Sequence, residues 1–337
     1  GRFLLRRRGI LTRLTSEAIN PMGKTTFTYN NRSRGFGLVG CLALSLFLSL
    51  SAEAQTLPLV HQQGEVVSYY NPAAMAPRGI GLLTALTGRE SQRNTYYLLQ
   101  AELPFEYRDR VYAAGGQYLQ AQQDLWEWNS ISLRSALRLP LSLTQDIHIG
   151  IEGVLHRLTL DGTKALKEGI TNDELPTTKS EGKALNLGLG IQYYGTHLSL
   201  GFAASNILRN QFHMGARYTT RISPRYAASM SYMIGSQSAW AFIPSLWGLY
   251  EGFSSWQANL RGTLWYRHRI ALGGTYRWQE AYGLQVQVRF ERFSLGYQLE
   301  HTYRRDQRLH QELFLSYTLP TQQAKQTTPR YKSIRLL

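Results

Sequence analysis

Residues 284–290 read Leu-Gln-Val-Gln-Val-Arg-Phe, apolar and polar in strict alternation, and residues 185–193 and 293–300 repeat the pattern. A period of two belongs to β-strands that present one apolar and one polar face. The polar face here is largely Gly, Ser, Asn, Gln and Arg, where a solvated sheet would carry Lys, Glu and Thr. Small and amide side chains suit a polar lumen, and the aliphatic and aromatic face suits lipid. Each segment runs about nine to eleven residues, the length of a tilted membrane strand, against the ~5 to 6 usual in soluble sheets.

Fourteen such segments are expected, at about 80–88, 93–103, 111–120, 129–139, 147–157, 184–194, 197–206, 225–234, 240–250, 256–266, 269–278, 281–290, 293–301 and 311–319. If the first runs outward, the outer connections together hold 72 residues and the inner ones 25. Outer-membrane barrels pair short periplasmic turns with long outer loops, so the imbalance sets the orientation. The longest expected connection, 158–183, is then extracellular and 235–239 periplasmic. Tyr107, Trp126, Trp128, Tyr194, Tyr250, Trp256, Tyr266, Trp278 and Tyr303 fall near the proposed strand ends, where interfacial girdles would place them. The fold class is therefore an all-β transmembrane barrel of about fourteen antiparallel strands.

Composition agrees. Of 337 residues, 43% are hydrophobic and 18% charged, with a mean hydropathy of −0.30. That is too apolar for disorder and too polar for a helical membrane bundle. The net charge of +15 divides unevenly, because residues 1–54 hold 8 of the 37 basic residues and 2 of the 22 acids. The remaining basic residues are dispersed over strands, with no basic helix or aromatic platform, which sets nucleic acid aside as a partner.

The N-terminus reads as an export signal. Lys24, Arg32 and Arg34 precede an apolar run at 38–50, and Ala52-Glu53-Ala54 supplies a small-x-small cleavage pattern before Gln55. The expected organisation is an upstream extension at 1–21 before a start at Met22, a signal peptide at 22–54, a periplasmic or plug segment at 55–79, a barrel at 80–319 and a basic tail at 320–337. The mature N-terminus is expected in the periplasm, and the even strand count puts the tail on the same side. That tail carries Lys325, Arg330, Lys332 and Arg335 with no acid. The only cysteine, Cys41, lies inside the apolar run, so the mature chain holds no disulfide or thiolate metal site.

Several motifs, taken in order, resemble the PorP/SprF family of outer-membrane proteins of type IX secretion and gliding in Bacteroidetes. They are Tyr69-Tyr70-Asn71-Pro72-Ala73, Leu158-Thr159-Leu160-Asp161-Gly162, residues 187–194 followed by 198–208, Ile243-Pro244-Ser245, residues 264–277, and His310-Gln311-Glu312-Leu313. The resemblance spans essentially the whole mature chain. It implies a non-catalytic barrel that anchors or docks periplasmic and outer-membrane secretion components and exported surface proteins, with membrane lipid around it. It carries over no catalytic motif, and family members end close to the last strand, unlike this chain with its tail.

The alternative is an outer-membrane transport channel. Asn71-Pro72-Ala73 also resembles the plug segment of fourteen-stranded fatty-acid channels. Arg134, Arg138, Arg261, Arg277 and Arg289 fall on the inward parity, where they would favour anions or pair with Glu152 and backbone. No enzyme, cofactor or metal is expected. His148 and His156 share a strand but lie ~26 Å apart at ~3.3 Å per residue, too far to share an ion. His61, His197, His213, His268, His301 and His310 show no ligand spacing, and Asp173 and Glu174 read as a solvated loop.

Overall fold

A computed structural model describes residues 54–55, 60–76, 79–90, 94–167, 169, 177–214, 218–235, 238–252, 255–303 and 308–320. Fourteen antiparallel strands close into one barrel. The first half of the wall is β2 (Leu82–Arg89), β3 (Asn94–Tyr107), β4 (Arg110–Gln123), β5 (Trp126–Pro140), β6 (Asp146–Asp161), β7 (Lys179–Tyr194) and β8 (Leu198–Ser205). The second half is β11 (Arg225–Tyr232), β12 (Trp240–Glu251), β13 (Ser255–Tyr266), β14 (Ile270–Arg277), β15 (Ala281–Phe290), β16 (Phe293–Thr302) and β17 (Leu309–Thr318). Along the wall each strand pairs with its successor, except that β8 pairs with β11, and β17 returns to pair with β2, with Leu315 opposite Ala85. Closure leaves no unpaired backbone edge in lipid, which is what the bilayer demands of strands.

The alternation decides the two faces. In β6, Ile149, Ile151 and Leu155 are exposed on the wall, whereas His148, Glu152 and His156 are buried inside. The outer face carries a band of Leu, Ile and Val between two aromatic rows: Tyr107, Tyr232, Trp240 and Tyr266 at the end bearing the short turns, and Tyr97, Trp256, Trp278 and Tyr303 at the other. Three aromatics expected in the girdles are elsewhere. Trp128 is fully buried on the inner face against Phe212, Trp126 packs against Tyr218, and the Tyr194 hydroxyl donates to the Ala74 carbonyl at 3.3 Å.

Strands β3 to β7 are 14 to 16 residues long, longer than the segments expected there. A bilayer needs only about nine to eleven, so this side of the wall stands proud of it. At the end of the long connections, where β5 to β7 gain residues 126–128, 158–161 and 179–183, the reason lies in the connection at 206–224, which folds back as a hairpin of β9 (Gln211–Met214) and β10 (Tyr218–Ile222). Its Phe212, Met214 and Ile222 are buried with Leu158, Leu160, Trp128 and Ala184, so the strand extensions have an apolar surface to pack against. Residues 158–161 and 179–183, expected to be loop, are therefore strand. The connection at 162–178 opens with a short helix, α2 (Gly162–Lys167). The longest connection is thus 206–224, and the long connections still share one end of the barrel.

Candidate functional site

The lumen holds a segment of the chain itself. Residues 60–76 run through the barrel from the end of the long connections to the end of the short ones, and β2 follows. At the first end, β1 (Ala54–Gln55) pairs in parallel with Arg221 and Ile222 of β10. The barrel itself starts and finishes at the short-turn end, as the even count requires, but Ala54 and Gln55 lie at the opposite one.

Local sequence explains the path. Glu65 and Val66 lead into one helical turn, α1 (Val67–Tyr70), and Asn71 then caps a 3-10 turn at Pro72–Ala74. Pro72 sits at the first position of that turn, where a missing N–H costs nothing. The Asn71 Oδ1 accepts from Ala73 N at 3.0 Å, while its Nδ2 donates to the Ile191 carbonyl and to Gln192 Oε1, both at 3.0 Å. The wall gives way where this turn touches it. A Cβ at Gly150 would overlap the Ala73 backbone, and one at Gly115 would lie 2.9 Å from Met75 Sδ.

Polar groups on several sides of the wall hold the segment. Glu312 on β17 accepts the backbone N–H groups of His61 at 2.6 Å and Gln62 at 2.7 Å, and also pairs with the Tyr96 hydroxyl. Glu102 on β3 accepts Ala76 N at 2.7 Å near the other end. Arg134 donates through Nη1 to the Ser68 carbonyl at 2.7 Å and through Nε to Glu152 Oε1 at 2.9 Å. Arg225 bonds Glu251 and lies over the rings of Tyr69 and Tyr70, 5.7 and 5.6 Å from their centroids. Asn259 Nδ2 donates to Gln63 Oε1 at 2.9 Å.

The six residues expected to line the lumen therefore do so unequally. Arg134 and Glu152 are buried partners. Arg261 bonds Gln285 and lies 3.8 Å from Glu65, and Arg277 pairs with Glu300. Arg138 is partly exposed at the short-turn end, 2.8 Å from Asp146. Arg289 shares the inward parity but is exposed, its guanidinium 4.6 Å from the Trp265 ring centroid. Each of these arginines has an acidic or aromatic partner, so the lumen is not lined by free positive charge. Lys325, Arg330, Lys332 and Arg335, Cys41, Asp173 and Glu174 lie outside the described residues.

Two clusters were invisible in the spacing of the sequence. Ser130 Oγ lies 2.7 Å from His156 Nδ1, and His156 Nε2 lies 3.0 Å from Asn206 Oδ1. A Ser-His-Asn chain can activate a serine. Here all three are buried, with Trp128 edge-on to the His156 ring, so the hydroxyl has no access to a substrate. The second cluster joins His61, His310 and Glu312, which strand parity alone could not bring together because His61 lies in the luminal segment. The inward parity shared by His310 and Glu312 on β17 was the available signal.

The family model for the type IX secretion system membrane protein PorP/SprF matches residues 52–317. No curated protein matches the chain. Among solved structures, a Pseudomonas aeruginosa FadL homologue is similar over 75% of this chain and 93% of its own, at 12% identity and a TM-score of 0.46. The Ralstonia pickettii toluene transporter TbuX covers 79% and 94% at 10% identity and a TM-score of 0.44. The Acinetobacter baumannii outer membrane protein Omp33 covers 72% and 100% at 7% identity and 0.43.

Proposed function

Because the chain belongs to the PorP/SprF family of type IX secretion membrane proteins and forms an outer-membrane barrel, we propose that it works as a closed docking platform within that machinery. The observation that carries this reading is the filled lumen. Residues 60–76 are bonded to β3, β5, β7, β13 and β17, so movement of the segment would break buried polar contacts around much of the barrel. Leaving one buried donor unmade costs about 1–3 kcal/mol, and here many would open together. A barrel closed in this way offers its two ends rather than its interior.

At the outer end the tall wall of β5 to β7 and the β9–β10 hairpin form a surface for exported proteins. At the periplasmic end the short turns and the tail after β17 face the periplasmic components. The tail's four basic residues would meet an acidic partner there, by a contact that salt screens over about a Debye length. The transport reading gains little from the lumen, since its arginines are engaged and the segment is bound across the bore. The family is one of secretion membrane proteins and not a known enzyme family, which leaves the buried serine and histidine to packing.

Co-purification tests the proposal. A tagged full-length chain extracted from outer membranes should bring secretion components and exported surface proteins with it. Their absence, with the barrel folded and abundant, would overturn the platform reading.

A further inference from the structure

The structure assigns a divalent-metal site, of the kind that takes zinc, to His61, His310 and Glu312. One donor atom from each lies within 4.8 Å of the others, and the cluster is set in the lumen near the end of the long connections. His310 Nε2 is 3.2 Å from Glu312 Oε1. That is close to the ~3.3 Å edge of a tetrahedron whose metal bonds are ~2.0–2.1 Å. The two imidazole rings lie face over face, their centroids 3.9 Å apart and their planes 31° from parallel.

The surroundings resemble those of a built ligand set. His61 Nδ1 lies 2.9 Å from Glu300 Oε1. With an ion on Nε2 the imidazole would carry its proton on Nδ1, facing this carboxylate, the carboxylate-histidine arrangement common around bound metals. Arg277 pairs with Glu300 and lies 3.2 Å from His61 Nδ1, so its charge is on the far side of the ring from Nε2. The Tyr96 hydroxyl, 3.3 Å from His310 Nε2, stands where a fourth ligand or a bound water would complete the shell. An ion entering there displaces the Tyr96 contact with Glu312, while the backbone N–H groups of His61 and Gln62 keep their places on the same carboxylate.

Two imidazoles and one carboxylate select zinc-like ions over magnesium or calcium, which prefer all-oxygen shells. Such an ion would tie the luminal segment to β17 by direct bonds. The site stands independently of what the barrel docks.

The test uses full-length protein in detergent, carried on a histidine-free tag, stripped with chelator and titrated with zinc chloride. Mass spectrometry of the desalted protein should find one zinc per chain. Competition with a chromophoric chelator should show at least a tenfold loss of affinity in His61→Ala and in His310→Ala, and no change in His197→Ala in the exposed turn between β7 and β8. Glu300→Gln removes no ligand and should weaken zinc about tenfold through loss of orientation. It also keeps the question decidable if an alanine variant loses its heat-modifiable folded band. Zinc absorption spectra should show two imidazole nitrogens. Wild-type protein that retains no zinc, or zinc that survives both His61→Ala and Glu300→Gln unchanged, would overturn the assignment and leave a hydrogen-bonded clamp.

Discussion

Asn71 occupies the space that a side chain at Gly190 would need. A Cβ built on Gly190 runs into Asn71 Oδ1, and Gly201 on the adjoining strand comes within 3.1 Å of Asn71 Nδ2 in the same way. The wall of the barrel is thus cut away where the cap of the luminal turn sits, and two parts of the chain 119 residues apart are shaped for one another.

Gly190→Val tests this fit. The added methyls would push the Asn71 turn off the wall and cost about 1–3 kcal/mol, the usual range for overpacking. Urea unfolding of the micelle-bound barrel should shift by that amount. The same change at Gly153, which meets nothing within 4 Å, should shift it little.

Glu312→Ala removes the acceptor for two backbone N–H groups inside the barrel. Each unmet donor costs about 1–3 kcal/mol. The segment should loosen at its outer end first, which limited proteolysis of folded protein would report as new cuts near residues 60–66. Glu312→Gln keeps an acceptor and should be cut less.

Sidedness follows from the strand order. In a Cys41→Ser background, single cysteines at Ser180 and at Gln55 should react with an impermeant maleimide in intact cells, and one at Ser142, in the short turn between β5 and β6, should not. Labelling of Ser142 alone would reverse the barrel.

Truncation after Pro320 leaves β17 whole, so the barrel should insert and run as a heat-modifiable band. If the basic tail contacts an acidic partner, recovery of periplasmic components should fall, and more steeply in low salt than in high. Unchanged recovery would leave the tail without that role.

The wall was legible because a period of two, held between lipid and a polar interior, admits one assignment of faces. The fourteen segments, their order and the side of the long connections all follow from it. The strand extensions were not legible: a hairpin from another connection covers Leu158 and Leu160, Thr159 between them is buried as well, and three buried neighbours in a row break the alternation. The lumen was read in part. Parity found Arg134 with Glu152, and Arg261 and Arg277, but the partner Glu65 and the contacts that Glu312 and Glu102 make depend on where residues 60–76 pass, which no strand pattern encodes. Asn71-Pro72 marked the one place where local turn chemistry and long-range contact coincide.

The most direct test of the central claim, a barrel closed by its own chain, is conductance of the full-length protein in a planar bilayer. Fourteen strands alone enclose a bore wide enough for solute. With residues 60–76 bonded across it, the intact protein should show little or no steady current, and deletion of 55–79 should produce an open pore or prevent assembly. Large ohmic currents from the intact, folded chain would contradict the account and favour a transport channel.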